Sequence, residues 1–365
     1  MTKQKVKTFN GEMNLLKMIG IVHVVVGHIY SQVFSVLRQP YTFHMPLFYF
    51  ISGYFYDEDH EKEKAKYVWS KFKKNVGLFY FYLVFMIIFC SLVSWKYNIS
   101  LGTISFYDIF IKPFTIGIDN PGFLIGSTWF ILSLFLVQTV FVLIYPLIKR
   151  IIKNDYFKLL FFLILGIVSI YLSNKGWNKN EYLLMVLRTL TGMTFYYLGY
   201  FYKRNVENKI DIYNGKVIIG LFLILILVLK NTNINFNFGF NSMTFHNQLL
   251  TPIITSIIGI YISIFIAKGL SKIIKNENDI LHKIGRNSLY IMIFHTSVFF
   301  IISLLFFKIN HISEYYYSNL TVFPFASEGF INKNNFWPLY VSLGLLLPTL
   351  YGEVVGRLKK RKIKY

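Results

Sequence analysis

Apolar blocks of about 20 residues, parted by short polar stretches, recur along the whole chain, and that is the length a helix needs to cross a bilayer core. Of 365 residues, 55% are hydrophobic and only 15% charged, too few charges to cover a soluble protein of this size. The blocks are solidly apolar and do not alternate, which favours helices over a barrel. The fold class expected is therefore an all-α integral membrane protein with about ten transmembrane helices. The expected spans are 15–37, 41–56, 76–95, 127–148, 157–173, 183–202, 215–230, 248–267, 286–307 and 336–356, within one multi-spanning domain covering 1–365. No pattern of small residues suited to signal cleavage follows the first block, so it is read as a retained helix.

A net charge of +21 would suit a nucleic-acid partner, but the placement of the charge does not. If loops alternate sides, Lys and Arg gather about four to one on the side that holds both termini. The opposite side keeps a scattered few, among them Lys96, Lys112 and Lys175. Both termini are thus expected in the cytoplasm. The basic loops are expected against anionic headgroups of membrane lipids, with no nucleic acid bound. The single cysteine, Cys90, excludes an intrachain disulfide and reads as a packing residue. No internal repeat is evident, which weighs against transporters built from repeats.

Ionisable residues at membrane depth must have their desolvation compensated, so each is a candidate for function. The first block holds Lys17, His23 and His28, with Arg38 just past its outer end. Lys17 and His28 lie eleven residues apart, hence about 20° apart around a helix and about 16 Å apart along it. They share a face. His23 points elsewhere and reads as a packed or lipid-shielded histidine. His295 lies nine residues past Arg286, about 14 Å into the membrane, a depth comparable with His28. Two imidazoles at one level suggest a shared cavity.

His44 opens the second block in "FHMPLFYFISGYF", where Pro46 falls in a first turn that can spare its amide. That block is short and contains Ser52 and Gly53, so a tilted or partly re-entrant segment is open. Arg188 has no acid near it in sequence, and a structural pairing and an anion-binding role are both open. Asp57, Glu58, Asp59, Glu181 and Glu353 fall at block ends and none at a block centre, which weighs against a proton-driven transporter. A core lined by His, Lys and Arg suits anionic ligands and proton transfer by imidazole. The histidines lack metal-ligand spacing and no metal is expected.

The phrases "NLLKMIGIVHVVVGH", "TFHMPLFYFISGYF", "STWFILSLF" and "IGRNSLYIMIFH" resemble, in order, those of the bacterial membrane-bound acyltransferase-3 family. The resemblance implies a plasma-membrane O-acyltransferase of the cell envelope. It would move an acyl group, commonly acetyl from acetyl-CoA, to a hydroxyl of a surface or lipid-linked glycan, a reaction of polysaccharide O-acetylation. It carries a first-span signature of a basic residue and a histidine onto Lys17 and His28. The family has arginine where this chain has Lys17, and often an aspartate where it has Asn14. Lysine keeps the charge but loses the guanidinium's two-pronged grip, and the missing aspartate removes a partner for it.

On this resemblance His28 is the first candidate for activating a hydroxyl or shuttling the acyl group, with His295 and His44 as further catalytic candidates. Lys17 would hold the acyl-CoA co-substrate. Arg188, Arg38, Ser52, Trp129 and Arg286 are candidates for binding donor or acceptor, and Tyr54 and Tyr290 are weaker ones. Two other functions stay open at this point. One is a transporter of glycan or lipid-linked precursors. The other is a catalytically inactive partner of a polysaccharide assembly complex.

Overall fold

Where the sequence is solidly apolar the chain is helical. The computed structural model describes residues 9–29, 43–97, 105–116, 128–207, 215–230, 238–309 and 333–362. Helix α1 covers Gly11–Gly27 and α2 covers His44–Tyr54. Helix α3, Lys64–Lys71, runs through a π-helical turn at Phe72–Val76 into α4, Gly77–Tyr97. Two short helices follow, α5 at Phe106–Phe110 and α6 at Lys112–Thr115. Then come α7 at Trp129–Ile151, α8 at Asp155–Asn174, α9 at Glu181–Asn205 and α10 at Gly215–Lys230. The chain closes with α11 at Thr251–Ile273, α12 at Ile280–Arg286, α13 at Ser288–Ile309 and α14 at Lys333–Lys362. Among the described residues no strand forms, only an isolated antiparallel bridge between Gly239 and Thr244.

Each of the ten expected blocks holds a helix, but among the described residues five stretches are long and apolar enough to cross a membrane unaided. These are Lys64–Phe89, Trp129–Ile151, Asp155–Asn174, Thr251–Ile273 and Phe336–Leu358. The first starts well before the expected 76, because a helix already under way at Lys64 passes through the π-helical turn without a break. Helix α2, at 11 residues, is too short to span by itself. Helix α9 is long, but threonines, glycines and Arg188 dilute its hydropathy.

Helix starts follow ordinary capping chemistry. The side chains of Asn10, Asn154 and Asn180 accept hydrogen bonds from the first free amides of α1, α8 and α9. The outer faces are apolar: Phe81, Phe85, Ile88 and Leu92 form one exposed stripe along α4, and Phe157, Leu160 and Ile164 another on α8. In water such stripes would seek a partner; in a bilayer they face acyl chains.

Inside, α1 packs against α2, α11, α12 and α13, while α2 lies against α9. At the α2–α9 crossing the two backbones touch. A Cβ at Gly53 would lie 1.7 Å from the carbonyl oxygen of Tyr196, and one at Gly199 would lie 1.9 Å from that of Phe50. Gly53 therefore marks a close helix crossing, the use small residues have in membranes.

The link after α2 is clamped to the bundle. Glu58 takes hydrogen bonds from the Tyr200 hydroxyl, from Arg204 and, at 2.9 Å, from Lys149 Nζ. Burial alone would raise the Glu58 carboxyl. The bonds from Tyr200 and Lys149, with the charges of Lys149 and Arg204, hold it down at about 2.

Candidate functional site

Two helices that meet inside the bundle bring together the two imidazoles matched by depth in the sequence. His28 closes α1, its amide bonded back to the Val24 carbonyl at 3.2 Å. His295 lies on α13, wholly buried. The ring centroids of His28 and His295 are 5.1 Å apart with planes inclined at 45°. His295 Nδ1 is 2.7 Å from the Ile291 carbonyl oxygen on its own helix, and the edge of Phe299 closes another side at 5.7 Å.

Lys17, nearer the start of α1, is half-buried, and its Nζ lies 5.0 Å from the centre of the Phe55 ring just past α2. The apolar stem packs and the charge rests on an aromatic face. His44 is buried as the first residue of α2. Its neighbour Phe43 meets His23 edge-on at 5.1 Å and packs against Gly259 of α11. His23 bonds the Ile19 carbonyl through Nδ1 at 2.8 Å, a packed histidine.

The other candidates are held elsewhere. Arg188 is buried on α9. Its Nη2 donates to the carbonyls of Phe114 and Thr115, both at 2.8 Å, and its Nη1 to the backbone and side-chain oxygens of Asn241, both at 3.2 Å. Its guanidinium lies 5.1 Å from the Trp129 ring centre. This pairing ties α9 to α6 and to the 238–250 segment with no carboxylate involved. A lysine has no planar fork with which to serve those acceptors. Arg188→Lys is expected to cost roughly 2–3 kcal/mol, read as a lower unfolding temperature of the purified chain in detergent.

Ser52 Oγ accepts from Gln138 Nε2 at 2.6 Å, and Gln138 Oε1 accepts from Asn75. Arg286 pairs with Glu353 at 2.8 Å, tying the end of α12 to α14, nine residues before His295. Arg38 lies outside the described residues.

The sequence reading missed His282 and, with it, the reason for Asn14. Asn14 Nδ2 donates to the His282 carbonyl at 2.7 Å and faces His282 Nδ1 at 3.4 Å. His282 Nε2 lies 3.1 Å from the Ile274 carbonyl, which can only accept, so Nε2 carries the proton and Nδ1 is bare. Position 14 thus faces two acceptors and needs a donor. Aspartate there would set a carboxylate against both. Asn14 thus locks α1 to α12. No signal in the sequence joins residues 268 positions apart.

A bundle of helices with apolar outer stripes and a close histidine pair inside it defines a multi-pass helical membrane protein. The family model described as an acyltransferase domain matches residues 10–351. The chain belongs to the acyltransferase-3 family and is a membrane acyltransferase. No curated protein and no solved structure matches it.

Proposed function

We propose that this acyltransferase is an O-acetyltransferase of a bacterial plasma membrane, with both termini cytoplasmic, that moves acetyl from acetyl-CoA to a hydroxyl of a surface or lipid-linked glycan. The observation that carries the reading is the close contact between the rings of His28 and His295, on a helix whose other end offers Lys17. With no carboxylate at mid-bundle among the described residues, imidazole is the group suited to take a proton near neutral pH.

In this reading the acceptor hydroxyl attacks the thioester carbonyl while His28 takes the hydroxyl proton. The ester C–O bond forms and the C–S bond breaks. The proton returns from His28 to the departing CoA sulfur. Lys17, at the basic end of the bundle, holds an anionic part of the donor, with its stem packed and its charge beside Phe55.

Chemical analysis of surface-glycan esters, with and without the gene, tests the function. Acetyl esters that vanish with the gene and return with it support the reading. An unchanged ester content removes it, and glycan that fails to reach the surface points to transport instead. A narrower expectation concerns Lys17. Lys17→Arg should keep or raise turnover, because guanidinium stacks on Phe55 and grips phosphate in two-pronged fashion. A large loss, with KM for acetyl-CoA unchanged, would remove Lys17 from donor binding.

A further inference from the structure

The helix that carries His295 also fixes its tautomer. Nδ1 sits 2.7 Å from the Ile291 carbonyl, and a carbonyl oxygen only accepts, so Nδ1 carries the ring proton. Nε2 is then a bare lone pair. It is fully buried and has no hydrogen-bond partner among the described residues. Buried acceptors are ordinarily satisfied, and an orphan calls for an explanation. Of the rings that flank His295, Phe299 has no N–H to offer, while His28, at 5.1 Å, does.

We propose that His295 is the positioning residue for His28: once His28 takes the hydroxyl proton of the glycan, its ring turns an N–H to the waiting Nε2 of His295, and that hydrogen bond steadies the imidazolium. This rests on the reading of His28 as the base. No proton passes to His295. The proton moves from the hydroxyl to His28 and on to the CoA sulfur, and Nε2 shares only the hydrogen bond. The part is the one a buried carboxylate plays toward histidine in hydrolytic triads. A neutral imidazole plays it here at membrane depth, where an unpaired carboxylate would be costly to bury. Because the tautomer is set by the helix backbone, the lone pair is aimed before substrate arrives.

The test uses the purified full chain in nanodiscs, with acetyl-CoA as donor and a glycan extract of the source membranes as acceptor. Thiol release is compared for wild type, His295→Ala, His295→Gln and His28→Ala. His295→Ala should lower kcat about 100-fold with KM for acetyl-CoA unchanged. His295→Gln, whose amide oxygen restores an acceptor, should recover a large part of that loss. In wild type labelled with 15N-histidine, the signal that disappears in His295→Gln should be that of a ring protonated at Nδ1 and bare at Nε2.

Wild-type kcat in His295→Ala, equal losses in both variants, or a ring protonated at Nε2 would overturn the inference. Should His295→Ala fail to fold, the glutamine variant and the wild-type spectrum decide. Turnover surviving in His28→Ala would overturn the reading of the base itself, and with it this inference. A dead His28→Ala beside a fully active His295→Ala overturns the inference alone.

Discussion

His28→Ala should lower acyl transfer by about 100- to 10,000-fold, the range a positioned general base supplies, while the chain still inserts and unfolds at the wild-type temperature. The reason to expect a split between activity and stability lies in where His28 sits. It is the cap residue of α1, with α-region backbone that alanine adopts freely, and it is part-exposed, unlike the core neighbours Val24 and Val25. The helix is held in place by other contacts, above all Asn14 on His282 and the side chains of α1 packed against α2 and α11. Removing the ring takes away one tilted ring contact with His295 and no backbone hydrogen bond.

Ester content of the glycan and thiol release from acetyl-CoA both report the loss, and size-exclusion behaviour with a thermal melt reports the fold. An active variant would take His28 out of the chemistry. A variant that fails to insert would mean the ring is part of the packing, against the geometry at the α1 cap.

The helix blocks were legible because bilayer thickness dictates segment length and because apolar runs in lipid need every backbone group bonded within the segment. Helical period alone set the expectation that Lys17 and His28 share a face, and counting residues from Arg286 set the expected depth of His295. What the sequence left open was the rotation of α13, which decides whether two imidazoles at one level meet; in the structure they do.

Arg188 was ambiguous for a different reason. Its partners are carbonyls at Phe114 and Thr115 and the amide residue Asn241, and carbonyl acceptors carry no residue-type signature. Glu58 sat plainly at a helix end in the sequence, but its clamp draws on Lys149, Tyr200 and Arg204 from α7 and α9. Long-range pairings of this kind are written in no local pattern, and neither was the donor that His282 demands of position 14.

The crossing of α2 and α9 should be the least tolerant place in the molecule. Gly53→Ala sets a methyl 1.7 Å from the Tyr196 carbonyl oxygen, and Gly199→Ala sets one 1.9 Å from the Phe50 carbonyl oxygen. Both obstacles are backbone atoms inside helices, so no side-chain rotation relieves them, and the axes must part by about 1.5 Å to reach ordinary C···O contact distance. Parting them opens gaps along the whole seam, where Phe50 and Tyr202 now lie 5.4 Å apart between ring centres, and lost dispersion contacts add to the strain. A cost above about 3 kcal/mol is expected from either change, seen as collapse of the folded fraction in detergent, with loss of turnover following from it.

Gly220→Ala on α10 is the matched control. Among the described residues nothing stands within 4 Å of its Cβ position, so alanine there should leave stability unchanged or raise it by up to about 1 kcal/mol through helix propensity. Equal melting temperatures for Gly53→Ala, Gly199→Ala and Gly220→Ala would mean that α2 does not rest on α9 backbone to backbone, and that the seating of His44 and Ser52 has another cause.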